Sequence, residues 1–232
     1  GGLLLRFQQY TALMKKITLN SNAKVNIGLN VLKKNHNGFH NIITVFQEIN
    51  FFDTITVTKT SSGCKFKSNV KWLKNNQHNL CVAAFNLMQK QYGFDGISID
   101  LIKNIPPGSG LGGGSSNAAS IMKGICELYD LNVSKKELEH LAVNIGADVP
   151  FFIKGSLQLG EGIGEKLRPL KTKIAGKYLI VIPKIKIDTS WAYSKFKNVL
   201  DTSKSSTNFP SLFDTDRINT DKLKLIENDF ES

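Results

Sequence analysis

Pro106 to Ala119 reads P-P-G-S-G-L-G-G-G-S-S-N-A-A, and five of the seven residues from Gly108 to Gly114 are glycine. Glycine is costly to order, so a run this dense needs a structural reason. Just before it, Ile97, Ile99 and Leu101 alternate with polar residues, the pattern of a half-buried strand. Just after it, Ala118, Ile121, Met122, Ile125 and Leu128 recur at helical spacing. The stretch therefore reads as strand, glycine loop, helix. Ser115, Ser116 and Asn117 stand where the helix should start, and all three residue types cap N-termini well. A helix start presents free N–H groups and the positive end of the dipole, and glycine lets an anion come close to the backbone. The expectation is a phosphate cradle.

Other readings of the loop are weaker. A flexible linker does not usually pass straight into a capped amphipathic helix. Gly108, Gly110 and Gly113 spell the dinucleotide fingerprint G-x-G-x-x-G, but that pattern needs a βαβ setting. Here the strand before the loop alternates, and the helix after it leads into a second helix. A P-loop is excluded because no Lys-Ser or Lys-Thr closes the glycine run.

The stretch closely resembles the ATP-binding loop of the GHMP small-molecule kinases, which include galactokinase, homoserine kinase, mevalonate kinase and phosphomevalonate kinase. The triple glycine followed by S-S-N-A-A looks most like one branch of that family. This branch phosphorylates the 2-hydroxyl of 4-diphosphocytidyl-2-C-methyl-D-erythritol in the non-mevalonate route to isoprenoids. The resemblance implies that Pro107, Gly108, Ser109, Gly110, Leu111, Gly112, Gly113, Gly114, Ser115, Ser116 and Asn117 hold ATP. It also implies Mg²⁺ for phosphoryl transfer, although no ligand for the ion is identifiable.

Working outward, Ile17 to Val31 has a period of two. Ala23, Val25, Ile27, Leu29 and Val31 share a face, and Lys24, Asn26, Gly28 and Asn30 share the opposite one. The polar row reads as a solvated face or as the wall of a site. A-K-V-N-I-G-L-N resembles the family's first motif, which makes Lys24 the cation beside the reactive hydroxyl and Asn26 a substrate contact. Asn35 to Gly38 is a turn signal, followed by expected strands over Ile42–Ile49 and Phe51–Thr60. G-F-H resembles the family's G-Y-H, so Phe39 is expected to stack on the cytosine and His40 to hydrogen-bond its edge. Phe keeps the stacking face and loses a hydroxyl. Asn79 opens a helix running to about Tyr92, either as a simple N-cap or, by resemblance of H-N-L to D-N-L, near the adenine.

Ser134 to Glu137 is a capping box, and the helix it opens is expected to reach Ile145 and stop at Gly146. Then comes G-A-D-V-P-F-F, with Pro150 preventing helix from running through. An aspartate here usually serves a turn or an N-cap. G-A-D-V-P-F-F, however, is nearly the family's second signature, which makes Asp148 the base that takes the hydroxyl proton. Apolar neighbours would raise its pKa and Lys24 would oppose the rise.

Leu157 to Gly162 reads as a short strand, and 160–165 resembles a further family motif. Tyr178 to Pro183 is continuously apolar and is expected to be a strand buried on both faces. Pro183 to Tyr193 resembles the family segment that opens a second domain, with Thr189 and Tyr193 on the cytidine side. Thr202 to Pro210 is polar and reads as loop, and 228–231 resembles the motif that starts the family's next helix.

These elements predict an α+β fold of the GHMP two-domain kind, whose first domain resembles a ribosomal-protein domain. The ATP-binding domain is expected over 14–175, and 176–232 is expected to be the incomplete second domain. Residues 1–13 read as a non-native or disordered leader, and Met14 as the native start. The resemblance runs from Lys15 to Glu231, short of a further glycine-rich segment, so the 232-residue chain alone is expected to be weakly active or inactive.

Composition sets the remaining bounds. Three well-separated cysteines fit neither a zinc site nor a disulfide framework, and suit buried thiols in a reducing cytoplasm. There is no apolar run long enough to span a membrane. A net charge of +11 suits polyanionic small substrates or nucleic acid. Arginine is scarce and aromatics do not interleave with the lysines, which argues against a nucleic-acid surface. The expected partners are therefore ATP and a cytidine-diphosphate sugar alcohol. No nucleic acid or membrane is expected, and the chain should be a monomer or weak homodimer. A non-catalytic RNA-binding module and a nicotinamide-dependent oxidoreductase are the rival classes.

Overall fold

A computed structural model describes residues 15–36, 38–75, 78–174, 176–183, 189–194, 209–213, 215–218, 220–224 and 226–230. Residues 1–14 and the expected loop after Thr202, up to 208, lie outside the described set. The elements in order are β1 (Lys16–Lys34), β2 (His40–Thr60), β3 (Gly63–Ser68), α1 (Leu80–Tyr92), β4 (Gly96–Ile102), α2 (Gly113–Leu128), α3 (Lys135–Ala142), α4 (Val149–Lys154), β5 (Leu157–Glu161), β6 (Lys166–Pro169), β7 (Lys173–Ile174), α5 (Thr189–Ser194), α6 (Phe209–Leu212), β8 (Arg217–Ile218) and α7 (Thr220–Leu223).

The sheet is built on β2, whose 21 residues serve three neighbours. β1 runs antiparallel along one side of it, from Lys16 opposite Thr58 to Lys34 opposite His40. The other side is divided, with β4 on Thr54–Thr60 and β5 on Thr44–Gln47. β3 flanks β4 in parallel, and β6 flanks β5 antiparallel. The two strands expected over Ile42–Ile49 and Phe51–Thr60 are thus one. The pairing steps from Asn22–Phe52 to Ala23–Ile49, so Asn50 and Phe51 form a bulge that bends the strand without ending it.

The helices cover one face of this sheet. Ile97, Ile99 and Leu101 of β4 are fully buried against Phe85 and Met88 of α1 and Ile121, Met122 and Ile125 of α2. Ser98 and Asp100 are half-buried, as the alternation predicts. The fold is α+β, with a mixed sheet and its helices gathered on one side.

Local sequence sets the helix ends. Asn79 caps α1 by accepting the Cys81 N–H at 2.9 Å, and Gly93 ends that helix in the left-handed region. Ser134 caps α3 by accepting from Glu137 N at 3.2 Å. α3 stops at Ala142, short of the expected Ile145, because Asn144 and Ile145 donate only three residues back, to Leu141 and Ala142.

Tyr178 to Pro183 departs from expectation. It forms no strand, and Leu179 and Val181 are 91% and 78% exposed. A strand buried on both faces needs paired neighbours and a layer on each side. Among the described residues nothing pairs with this run, and Ile180 alone packs inward, with Ala23, Ile49, Ile105 and Leu111. The second small sheet is β7 beside β8, whose Ile218 and the nearby Phe213 bury against Val45, Leu157 and Leu159.

Candidate active site

The link between β4 and the glycine loop is held by an aspartate of another strand. Asp53 of β2 is fully buried, and its carboxylate accepts from Asn104 N at 2.7 Å and Ile105 N at 2.8 Å. It also accepts from Asn117 Nδ2 at 2.8 Å and pairs with the Lys103 ammonium, itself buried. One carboxylate therefore fixes the entry to the loop and the helix that leaves it. Ser21 of β1 extends the network, donating to Ser116 Oγ at 2.8 Å and accepting from Asn117 Nδ2 at 3.0 Å.

This arrangement corrects the reading of the helix start. α2 begins at Gly113, its N-cap is Gly112, and no side chain caps it. Ser116 and Asn117 are each 2% exposed and turned inward, where they bind the helix to β1 and β2. Among the described residues, no side chain accepts from the N–H groups of the first turn, which suits an anion better than a capped start would. Gly108 and Gly110 have φ of 69° and 73° with open space where a Cβ would stand. Gly112 is needed for space as well, because a Cβ there would lie 2.8 Å from Phe152 Cζ and 3.2 Å from Lys24 Cγ. The loop is thus pressed against Lys24 on one side and α4 on the other. Leu80, at the start of α1, would meet a Cβ on Gly114 at 3.4 Å, so the two helix starts adjoin.

Lys24 lies on the outer edge of β1, and its backbone N–H donates to Leu111 O at 3.0 Å, so the loop covers that edge. Its side chain is buried, with Nζ 2.6 Å from Asn26 Oδ1, 3.7 Å from Asp148 Oδ2 and 5.4 Å from the centre of the Phe46 ring. Asn26 in turn donates to Thr44 Oγ1 at 2.9 Å. Asp148 stands at the N-cap position of α4 without using its side chain as a cap. Its side chain is 37% exposed. Lys123 ties α4 to α2 by donating to Phe152 O at 2.9 Å, and burial lowers the pKa of this lysine. Two residues 124 positions apart, Lys24 and Asp148, therefore meet beside the loop.

A second group gathers at the other end of the site. His40 opens β2, contacts Leu32 O through Nδ1 at 3.0 Å, and stacks on Tyr193 at 6.0 Å between centroids and 24° between planes. Phe230 meets Tyr193 edge-on at 5.1 Å. Burial raises the Tyr193 hydroxyl pKa, and the Asp148 carboxylate raises it further, so the rings and the Lys24–Asp148 pair share one region. Phe39 is 60% exposed beside His40. The backbone of Thr189 lies in α5, and its side chain is outside the described set. Asn79 is 3% exposed and its side chain is occupied at the start of α1, accepting from Cys81 N and donating to Lys74 O at 3.0 Å.

Sequence reasoning missed Asp53, Lys103 and Ser21. The signal was an acid between Phe52 and an alternating strand, and a lysine directly before the loop. Both look like ordinary surface charges until the fold brings them together. The cysteines are free thiols, and burial pushes Cys81 up to about 12 and Cys64 and Cys126 up to about 11.

Comparison with known proteins bears on the fold that carries these residues. Residues 79–156, from the start of α1 through the glycine loop to the end of α4, match the family described as GHMP kinases N terminal domain. Among solved structures, a homoserine kinase from Cytophaga hutchinsonii shares the fold at 18% identity, with a TM-score of 0.65 over 88% of this chain and 68% of that one. The fold and the loop are thus those of the GHMP kinase class. A 4-diphosphocytidyl-2-C-methyl-D-erythritol kinase from Chloroherpeton thalassium is 36% identical over 93% of this chain and 76% of its own length. The enzymes of that name from Acetivibrio thermocellus and Persephonella marina are 37% and 43% identical over 79% and 76% of this chain. A crystal structure of 4-(cytidine 5'-diphospho)-2C-methyl-D-erythritol kinase is 37% identical, with a TM-score of 0.59 over 68% of this chain and 56% of that one. The chain belongs to the 4-diphosphocytidyl-2-C-methyl-D-erythritol kinase family. It spans 65% of the length of the Acetivibrio and Persephonella relatives.

Proposed function

We propose that this protein transfers the γ-phosphoryl group of ATP to the 2-hydroxyl of 4-diphosphocytidyl-2-C-methyl-D-erythritol. The observation that carries this reading is the Asp148 carboxylate. It is not used as a cap on its own helix, and it lies 3.7 Å from Lys24 at the wall of the glycine loop.

In this reading, backbone from Pro107 to Ser115 wraps the nucleotide phosphates, aided by the positive end of α2. Ser116 and Asn117 hold that helix from behind. Asn79 sets the start of α1 beside the loop, on the adenine side. The acceptor hydroxyl gives its proton to Asp148 as its oxygen bonds to the γ-phosphorus and the bond to the bridging oxygen of the leaving diphosphate breaks. Lys24, oriented by Asn26, steadies the charge on the transferring group. Phe39 and Tyr193 offer ring faces to the cytosine, and His40 meets its edge. The Nδ1 contact with Leu32 O orients the His40 ring for this role. Thr189 joins the same side.

Among the described residues, no group of three or more His, Cys, Asp or Glu side chains forms a metal cage. Mg²⁺ held mainly by nucleotide phosphates and water fits such a donor set, and the ion would neutralise charge on the phosphates. Residues 14–175 form the nucleotide-binding domain in this account and 176–232 open a second. No helix among the described residues is long and apolar enough to cross a membrane. We place the protein in the cytoplasm, as a monomer or weak homodimer acting on small molecules.

The test is phosphoryl transfer from ATP with three acceptors in parallel: the cytidine-diphosphate sugar alcohol, mevalonate and homoserine. The ratio of kcat/KM between acceptors is insensitive to a uniform loss of activity. A site built for the cytidine group should favour its own substrate by at least about a hundredfold. Equal rates, or preference for mevalonate or homoserine, would contradict the proposal.

A further inference from the structure

The stretch from Glu227 to Phe230 joins β1 and the aromatic group. Leu29 N donates to Glu227 O at 3.1 Å, and Asp229 N donates to Leu29 O at 2.9 Å. Leu29 and Asn228 thus form a parallel bridge on the outer edge of β1. The Asp229 side chain adds a third contact two residues along, accepting the Val31 N–H at 2.7 Å through Oδ2. These three bonds take up edge groups of β1 at 29–31, as Leu111 takes up the edge at Lys24.

The next residue carries the consequence. Phe230 presents its ring edge-on to Tyr193 at 5.1 Å and 89°, and Tyr193 lies over His40. His40 is also held from β1, through Leu32 O. Both ends of the ring series are therefore fastened to one four-residue stretch of β1, Leu29–Leu32. α5, which carries Tyr193, is only six residues long and is too short to hold its own orientation. Edge-to-face contact fixes a ring's tilt as well as its position.

We infer that Asp229 and Phe230 are positioning residues for the base-binding site, with the carboxylate locking the segment to β1 and the ring setting the tilt of Tyr193 over His40. The role rests on the reading that this ring group receives the cytosine. Asp229 touches no reacting atom in this account and acts through Phe230.

Two measurements on the full chain test this. The first needs no ligand and reads hydrogen exchange of the amides in 189–194. Asp229→Ala and Phe230→Ala should both speed that exchange while leaving α2 protected. Asp229→Asn keeps an oxygen acceptor for Val31 N and should restore the wild-type pattern. The second compares the dissociation constants of 4-diphosphocytidyl-2-C-methyl-D-erythritol and of a non-hydrolysable ATP analogue. Loss of a stacked base contact predicts cytidine binding weaker by about tenfold or more, with nucleotide binding within about twofold of wild type. Unchanged exchange at 189–194 in both alanine variants would overturn the inference, as would an equal weakening of both ligands, the mark of a merely structural role. If the wild type binds the cytidine ligand and the alanine variants bind it equally well, the positioning role is wrong and the kinase reading stands. If the wild type binds no cytidine ligand, the kinase reading fails, and the base-positioning role fails with it.

Discussion

Ile97–Leu101 and Tyr178–Pro183 are both rich in isoleucine and leucine, yet they end in opposite surroundings. The first has β2 and β3 paired to its two sides and α1 and α2 on one face, and its apolar side chains are fully buried. The second leaves Leu179 91% exposed and Val181 78% exposed. The difference lies in the partners each segment finds, since apolar content alone specifies only what a segment would bury if a neighbour were present. The same contrast separates the two halves of the candidate site. Lys24 and the glycine loop stand on a long strand and a sixteen-residue helix, and Asp148 starts α4, a short helix whose apolar side chains are buried in the core. Tyr193 stands on a single short turn held by rings and by the edge of β1.

The largest stability loss should come from the well-packed region, at its fully buried carboxylate. Asp53→Ala leaves the Lys103 ammonium buried without its partner and frees three further donors. A loss of about 3–5 kcal/mol is expected in urea denaturation, together with weaker nucleotide binding as the loop entry loosens. A loss under about 1 kcal/mol would mean that the loop is held by other means.

Next comes a matched pair across the two segments. Ile99→Ala removes fully buried methyls and should cost about 2–5 kcal/mol, whereas Leu179→Ala should fall within about 0.5 kcal/mol of wild type. The same denaturation series reads both. Comparable costs would show that Leu179 is buried in solution and would remove the contrast.

Much of this was legible in the sequence where the signal is local. The glycine loop, the Asn79 and Ser134 caps and the β4 alternation depend on neighbours within a few residues, and the chain carries them openly. The bulge at Asn50 and Phe51 was not legible, because an interruption in alternation looks like the end of a strand until the partner's register is known. Ser116 and Asn117 were misread as caps because residue type gives the capacity to cap, while the position of Gly112 decides where the helix begins. The Asp53 network and the Asp229 contact are long-range pairings, 64 positions to Asn117 and 198 to Val31, and no local pattern announces them.

The central claim is that Asp148 is the base at a site where Lys24 and the glycine loop meet, and Asp148→Asn tests it most directly. The substitution keeps size and removes the proton acceptor, so turnover of the cytidine-diphosphate substrate should fall by about 10²–10⁴-fold. Nucleotide affinity should stay at the wild-type value, and the melting temperature should fall only modestly, because the loose pair with buried Lys24 is lost while Asn26 Oδ1 still accepts from that ammonium. Turnover retained in that variant, with both ligands still bound, would contradict the account.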